Sequence, residues 1–134
     1  MSETIVGEQA VNLRVDWWTQ NIGLDVDLTQ PGIYEWQIEG VGVYIGQSKR
    51  LMRRIKEYTN NVRKLLLGAP YRKNKLTAYR AIHHELKRAY EDLNLVSVTV
   101  LENCNISELN ERERYWIAVR RFEASQGGPT VLNA

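Results

Sequence analysis

Gly32-Ile33-Tyr34-Glu35-Trp36-Gln37-Ile38-Glu39-Gly40-Val41-Gly42-Val43-Tyr44-Ile45-Gly46 is the stretch on which the fold turns. Thr29-Gln30-Pro31-Gly32 ahead of it is a turn signal, after which Ile33 to Ile38 and Val41 to Ile45 read as two strands. Glu39-Gly40 supplies the tight turn of a hairpin. Alternation in the first strand puts Tyr34, Trp36 and Ile38 on one face, and in the second it puts Gly42, Tyr44 and Gly46 together. Glycine weakens a strand interior, so a tyrosine flanked on its own face by two glycines suggests space kept for a second backbone or a ligand. A β-bulge, or packing against a helix, would leave the same pattern.

Downstream, Ser48 is placed to cap a helix in which Leu51, Ile55, Tyr58, Val62 and Leu65 recur at three- and four-residue spacing, and Gly68 and Pro70 end it. A loop from Ala69 to Lys75 leads to a second helix, Leu76 to Tyr90, with Ala78, Ile82, Leu86 and Ala89 as its apolar stripe. Leu95 to Leu101 alternates apolar with Ser and Thr, as a half-buried strand does. Asn105 and Glu108 resemble a capping box opening a last helix from Ser107 to Glu123. The expected fold is α/β of the α+β type, a small three-stranded, mainly antiparallel sheet flanked by helices in the order ββααβα.

Upstream, residues 1–28 read as an extension packed on or beside a domain at 29–134. Val11, Leu13, Val15, Trp17 and Trp18 keep neither period cleanly, so a short helix and a lead-in are expected, with Asp25 and Asp27 in strand-like alternation. Trp17 and Trp18 suit either the core or stacking on unpaired bases. The chain of 134 residues suits one domain. It has no apolar run long enough for a membrane span and no basic-then-apolar leader, so a cytoplasmic protein without membrane contact is expected. The single cysteine, Cys104, forms no internal disulfide and reads as a small core residue.

Net charge is only +2, but its distribution is uneven. From Lys49 to Tyr90 there are 13 Lys or Arg against two acids, Glu57 and Glu85, leaving 5 basic and 14 acidic residues elsewhere. Such concentration is the footprint of polyanion binding, although two solvated helix surfaces would also carry it. Glu113 falls with Leu109, Trp116 and Ile117 along the apolar stripe of the last helix, where a carboxylate needs a cation, a metal, or a place at the stripe's edge. Arg54 poses the same choice between a salt bridge and a bound phosphate. His83 and His84 suit interhelical hydrogen bonding or contact with phosphate.

Gly32-Ile33-Tyr34, followed after ten residues from tyrosine to tyrosine by Tyr44-Ile45-Gly46, resembles the motif that names the GIY-YIG nucleases. The resemblance continues through Ser48-Lys49-Arg50-Leu51-Met52-Arg53-Arg54, where Arg54 falls at the family's helix arginine. In Glu111-Arg112-Glu113-Arg114-Tyr115-Trp116-Ile117, Glu113 falls at its metal-binding glutamate. Tyr58 stands where many members carry histidine, and Asn133 resembles the asparagine that closes the site, with Asn110 the alternative.

This resemblance implies a DNA endonuclease using one divalent cation, Mg²⁺ or Mn²⁺, held by Glu113 with waters and phosphate oxygens. It implies that Arg54 stabilises charge on the phosphate and that Tyr34 activates or positions water, its pKa lowered by neighbouring cations or a proton relay, with Tyr44 assisting. Lys49, Arg50, Arg53, Lys56, Arg63, Arg72, Lys73 and Lys75 are the basic residues expected along the DNA backbone. Recognition would come from residues 1–28, the loop from Ala69 to Lys75 or a targeting partner protein, with a homodimer and a monomer both open, and a catalytically silent nucleic-acid-binding or regulatory module on the same fold is the competing expectation.

Overall fold

The computed structural model describes residues 17–69 and 79–134. Strands β2 (Gly32–Ile38) and β3 (Gly42–Ser48) form the expected antiparallel hairpin, with Tyr34 opposite Gly46 and Trp36 opposite Tyr44. Val41 N–H donates to Ile38 O at 3.0 Å across the turn, and Gly40 takes a φ of +77°, which costs a side-chain-bearing residue free energy. β3 continues beyond Ile45, because Gly46, Gln47 and Ser48 pair with Tyr34, Ile33 and Gly32.

Strand β4 (Val96–Asn103) lies antiparallel on the other side of β2. A further strand, β1 (Thr19–Asn21), pairs parallel to β4, so the mixed α/β fold has four strands in the order β1-β4-β2-β3 rather than the three expected. All three β1 residues are exposed, so no apolar alternation announced the strand; the unpaired edge of β4 recruits it. Val11, Leu13 and Val15, and the short helix expected around them, lie outside the described residues. Asp25 and Asp27 belong to turns, not a strand: Asp27 Oδ1 accepts both the N–H and the hydroxyl of Thr29, at 2.9 and 2.7 Å.

Among the described residues, three helices cover the sheet. Helix α1 (Leu51–Leu67) ends at Gly68 with φ +73°, as its sequence demands. Ser48 does not cap it: that residue closes β3, its Oγ engages the Arg50 backbone, and Arg50 occupies the N-cap without a side-chain bond. The first free amides of α1 are met instead by backbone, Leu51 N–H by Gln30 O and Met52 N–H by Leu28 O. Helix α2 (Ala81–Glu91) starts later than the expected Leu76. Tyr79 and Arg80 are outside the helix, and His83 Nδ1 accepts the Arg80 N–H at 3.1 Å, which fixes the start; Leu76 and Ala78 lie outside the described residues. The Asn105–Glu108 capping box opens a short 3₁₀ turn (Ile106–Glu108) that runs into α3 (Leu109–Ser125).

The two sheet faces carry different chemistry. Tyr34, Trp36 and Ile38 with Val96, Val98 and Val100 pack under α1 and α2, against Leu51, Ile55, Tyr58, Ile82 and Leu86. Trp17 stacks on Trp36 with centroids 6.4 Å apart and Trp18 meets it edge-on at 5.4 Å, so both tryptophans belong to this core. The opposite face holds Ile33 and Ile45 against Leu109, with Cys104, Trp116 and Ile117 around them. Glu35, 2% exposed on that face, is paired with Arg120 of α3, which satisfies a carboxylate that burial would otherwise penalise.

Candidate functional site

β3 is an edge strand, so groups from the α1–α2 face and from the α3 face can meet along its rim. Tyr44 reaches the rim from the first face and Gln47 from the second, two residues of opposite parity on one strand. They open onto a cleft of about 560 Å³ that is also lined by Arg54 of α1 and Glu113 of α3. Among the described residues, Lys49, Arg50, Arg53 and Arg80 face it too, against two carboxylates, Glu57 and Glu113. Five cations over two acids make an anion its natural occupant.

Of the expected catalytic set, Tyr44, Arg54 and Glu113 therefore share one cleft. Tyr34 lies behind the wall. It is 1% exposed, its ring packs against Gly46, and a Cβ at Gly46 would come within 2.3 Å of the hydroxyl. That hydroxyl meets the Tyr58 hydroxyl at 2.7 Å. Burial, reinforced by Tyr58, raises the Tyr34 pKa well above the ordinary tyrosine value, and the charge of Arg54 offsets only part of this. The expected lowering is thus reversed. Tyr58, buried as well, is pushed up to about 12 by desolvation.

Asn133 acts on the edge of β3 without lining the cleft. Its Oδ1 accepts the Ile45 N–H at 2.9 Å and its Nδ2 donates to Ile45 O at 2.8 Å, while Val43 exchanges hydrogen bonds with Thr130 and Leu132. The C-terminal segment thereby covers the free edge next to Tyr44. Gly42 is shaped by the same contact, since a Cβ there would lie 2.4 Å from Thr130 O. Asn110 accepts from Gln47 Nε2 at 2.8 Å and stands beside Glu113.

Lys56 faces an adjoining groove, not the cleft, and Arg63 bonds Asn60 farther along α1. Arg72, Lys73 and Lys75 lie outside the described residues. His83 is an interhelical group: 2% exposed, it has the Asn61 amide 3.3 Å from Nε2, and burial pushes its pKa down to about 4.

Three cleft residues escaped the sequence reading. Glu57 pairs with Arg53 at 3.6 Å and Arg54 at 3.4 Å, a spacing of four and three residues that a helix makes legible. Gln47 was hidden because it alternates away from Tyr44, and Arg80 because it was placed inside a helix whose N-cap it is.

Gln47 Nε2 also donates to Glu113 Oε1 at 3.1 Å, aiming that carboxylate at the cleft, and among the described residues no cation pairs with Glu113. No cluster of three or more His, Cys, Asp or Glu that could hold a metal ion occurs among the described residues. A hard cation that keeps most of its waters asks for less, one or two carboxylates beside a phosphate, and Glu113 over this cationic cleft meets that requirement. None of the protein-family models, curated proteins and solved structures compared with the chain matches it.

Proposed function

We propose that the chain is a metal-dependent DNA endonuclease of the GIY-YIG type, one domain built on residues 29–134 with residues 1–28 as an extension. The observation that carries the proposal is the meeting of Tyr44, Arg54 and Glu113, from a strand and two helices on opposite sheet faces, in one cleft rich in cations. Glu113, steadied by Gln47, would hold a single Mg²⁺ or Mn²⁺. When bound, that ion supplies Lewis acidity at the scissile phosphate and at the leaving 3′ oxygen.

The chain's own groups do the rest. Arg54 leaves Glu57 for the phosphate and stabilises the charge that builds there as water attacks in line, a contribution worth about 10²–10³ in rate. Tyr44, half-buried at the cleft, offers its hydroxyl to the phosphate or the attacking water. Tyr34 and Tyr58 hold the floor beneath them, a positioning role in keeping with their raised pKa values. Lys49, Arg50 and Arg53 align the backbone without reading sequence. Recognition then falls to a second copy or a targeting partner.

Arg54 bound to Glu57 and Tyr34 sealed from the cleft favour the second reading, a catalytically silent DNA-binding module. End-labelled single-stranded, duplex and branched DNA, incubated with Mg²⁺, with Mn²⁺ and with chelator, separates the two. New fragments that need the metal support the enzyme; salt-sensitive binding with no fragment from any substrate supports the module.

A further inference from the structure

On the outer side of α1 a second groove, of about 440 Å³, adjoins the cleft. Arg50, Arg53 and Glu57 line both, so the two lie side by side. Met52, Lys56 and Asn60 continue the groove along the helix, and Leu28 and Thr29 form its far wall. That wall is fixed. Leu28 O and Gln30 O accept the Met52 and Leu51 amides at 2.9 and 3.4 Å, Thr29 is tied to Asp27, and Asn103 Oδ1 accepts the Asp27 N–H at 2.8 Å. The loop therefore moves with the helix it borders.

The groove carries three cations and one carboxylate, and that carboxylate, Glu57, already faces Arg53 and Arg54. Beside this charge lies apolar surface from Met52, 42% exposed, and half-buried Leu28. Guanidinium and ammonium groups beside a thioether on the helix, with a leucine across the groove, match a nucleotide unit, its phosphate on the cations and its sugar and base on the apolar surface. From Arg53 to Asn60 the helix rises about 10 Å, the axial reach of about three phosphates of one duplex strand.

We infer that this groove is a strand-binding subsite for the nucleotides that flank the cleft phosphate on one side. It rests on the nuclease proposal for the identity of the strand, and its test reads binding alone. In chelator, so that nothing is cut, fluorescence anisotropy follows labelled single-stranded oligonucleotides of increasing length on the native protein, Lys56→Gln and Met52→Ala. Both substituted residues are exposed, and a thermal melt confirms folding. Native affinity should step upward once the strand is long enough to leave the cleft and enter the groove.

Lys56→Gln should erase much of that step and lower the salt slope by about 0.7, one phosphate contact on a single strand. Met52→Ala should weaken the long strand about fivefold and leave the slope alone. Variants that match the native protein at every length, or that lose affinity equally for the shortest and longest strands, overturn the subsite, as does a native affinity without a length step. An intact step in a protein that cuts no DNA overturns only the nuclease proposal.

Discussion

The hydroxyls of Tyr34 and Tyr58 lie 2.7 Å apart inside the core, directly behind the cleft wall at Gly46 and closed off from solvent. Both phenols have raised pKa values, Tyr34 chiefly from burial and Tyr58 up to about 12 from the same cause. Neither ionises between pH 6 and 9. Cleavage by Tyr34→Phe should therefore follow a pH–rate profile of native shape, with a stability loss of about 1 kcal/mol for the missing hydrogen bond. A basic limb present in the native profile and absent from Tyr34→Phe would show that Tyr34 gives up its proton during turnover.

The same pair makes an alkaline prediction. A folded-state pKa above the unfolded value favours the protonated form, so this stability is complete below pH 10 and falls as pH rises beyond it. Denaturant midpoints should decline above pH 10 less steeply in the Tyr34→Phe, Tyr58→Phe double variant than in the native protein.

Gly46→Ala should cost about 3 kcal/mol, because the added Cβ meets the buried Tyr34 ring, which has nowhere to retreat. Tyr34→Ala introduced alongside should recover part of that loss, a coupling readable in a double-mutant cycle. Additive losses would mean that the ring does not occupy the glycine's space.

His83 sets the acid side. Its pKa of about 4 when folded lies below the unfolded value near 6.5, so the unfolded chain takes up its proton first. The stability held by neutral His83 is complete above pH 6.5 and is lost as pH falls toward 4, on the order of 2 kcal/mol. Urea titrations should show His83→Gln less stable at pH 7 and flatter from pH 6.5 to 4 than the native protein.

Asn133→Ala removes two hydrogen bonds to Ile45 and should cost about 1–2 kcal/mol. Hydrogen exchange at the Ile45 amide should accelerate much more than at Tyr34, whose pairing lies within the sheet.

Sequence periodicity carried most of the architecture after Gly32, because the hairpin, the α1 stripe, the β4 alternation and the Asn105–Glu108 box are local signals. β1 had none: Thr19, Gln20 and Asn21 become a strand only because β4 offers an edge. Ser48 looked like a cap, yet tertiary backbone from Leu28 and Gln30 fills that need, which no local pattern encodes. The two glycines beside Tyr44 were legible as reserved space. What fills it was not, since Gly42 admits the backbone of Thr130 and Gly46 admits the ring of Tyr34. Type and spacing left Arg54 and Glu113 open between structural and site roles until the motif resemblance singled them out, whereas Gln47 became visible only when the edge position of β3 brought both sheet faces to one rim.

The central claim is that Glu113 holds the metal for a cut made at the β3 rim, and Glu113→Ala compared with the native protein, in single-turnover cleavage and in DNA binding, tests it most directly. The account predicts Mg²⁺- or Mn²⁺-dependent cutting by the native protein, a rate at least about 100-fold lower in Glu113→Ala, and DNA binding in chelator that stays within a few fold. Cutting at the native rate by Glu113→Ala, or no metal-dependent cutting of any DNA by the native protein, would contradict it.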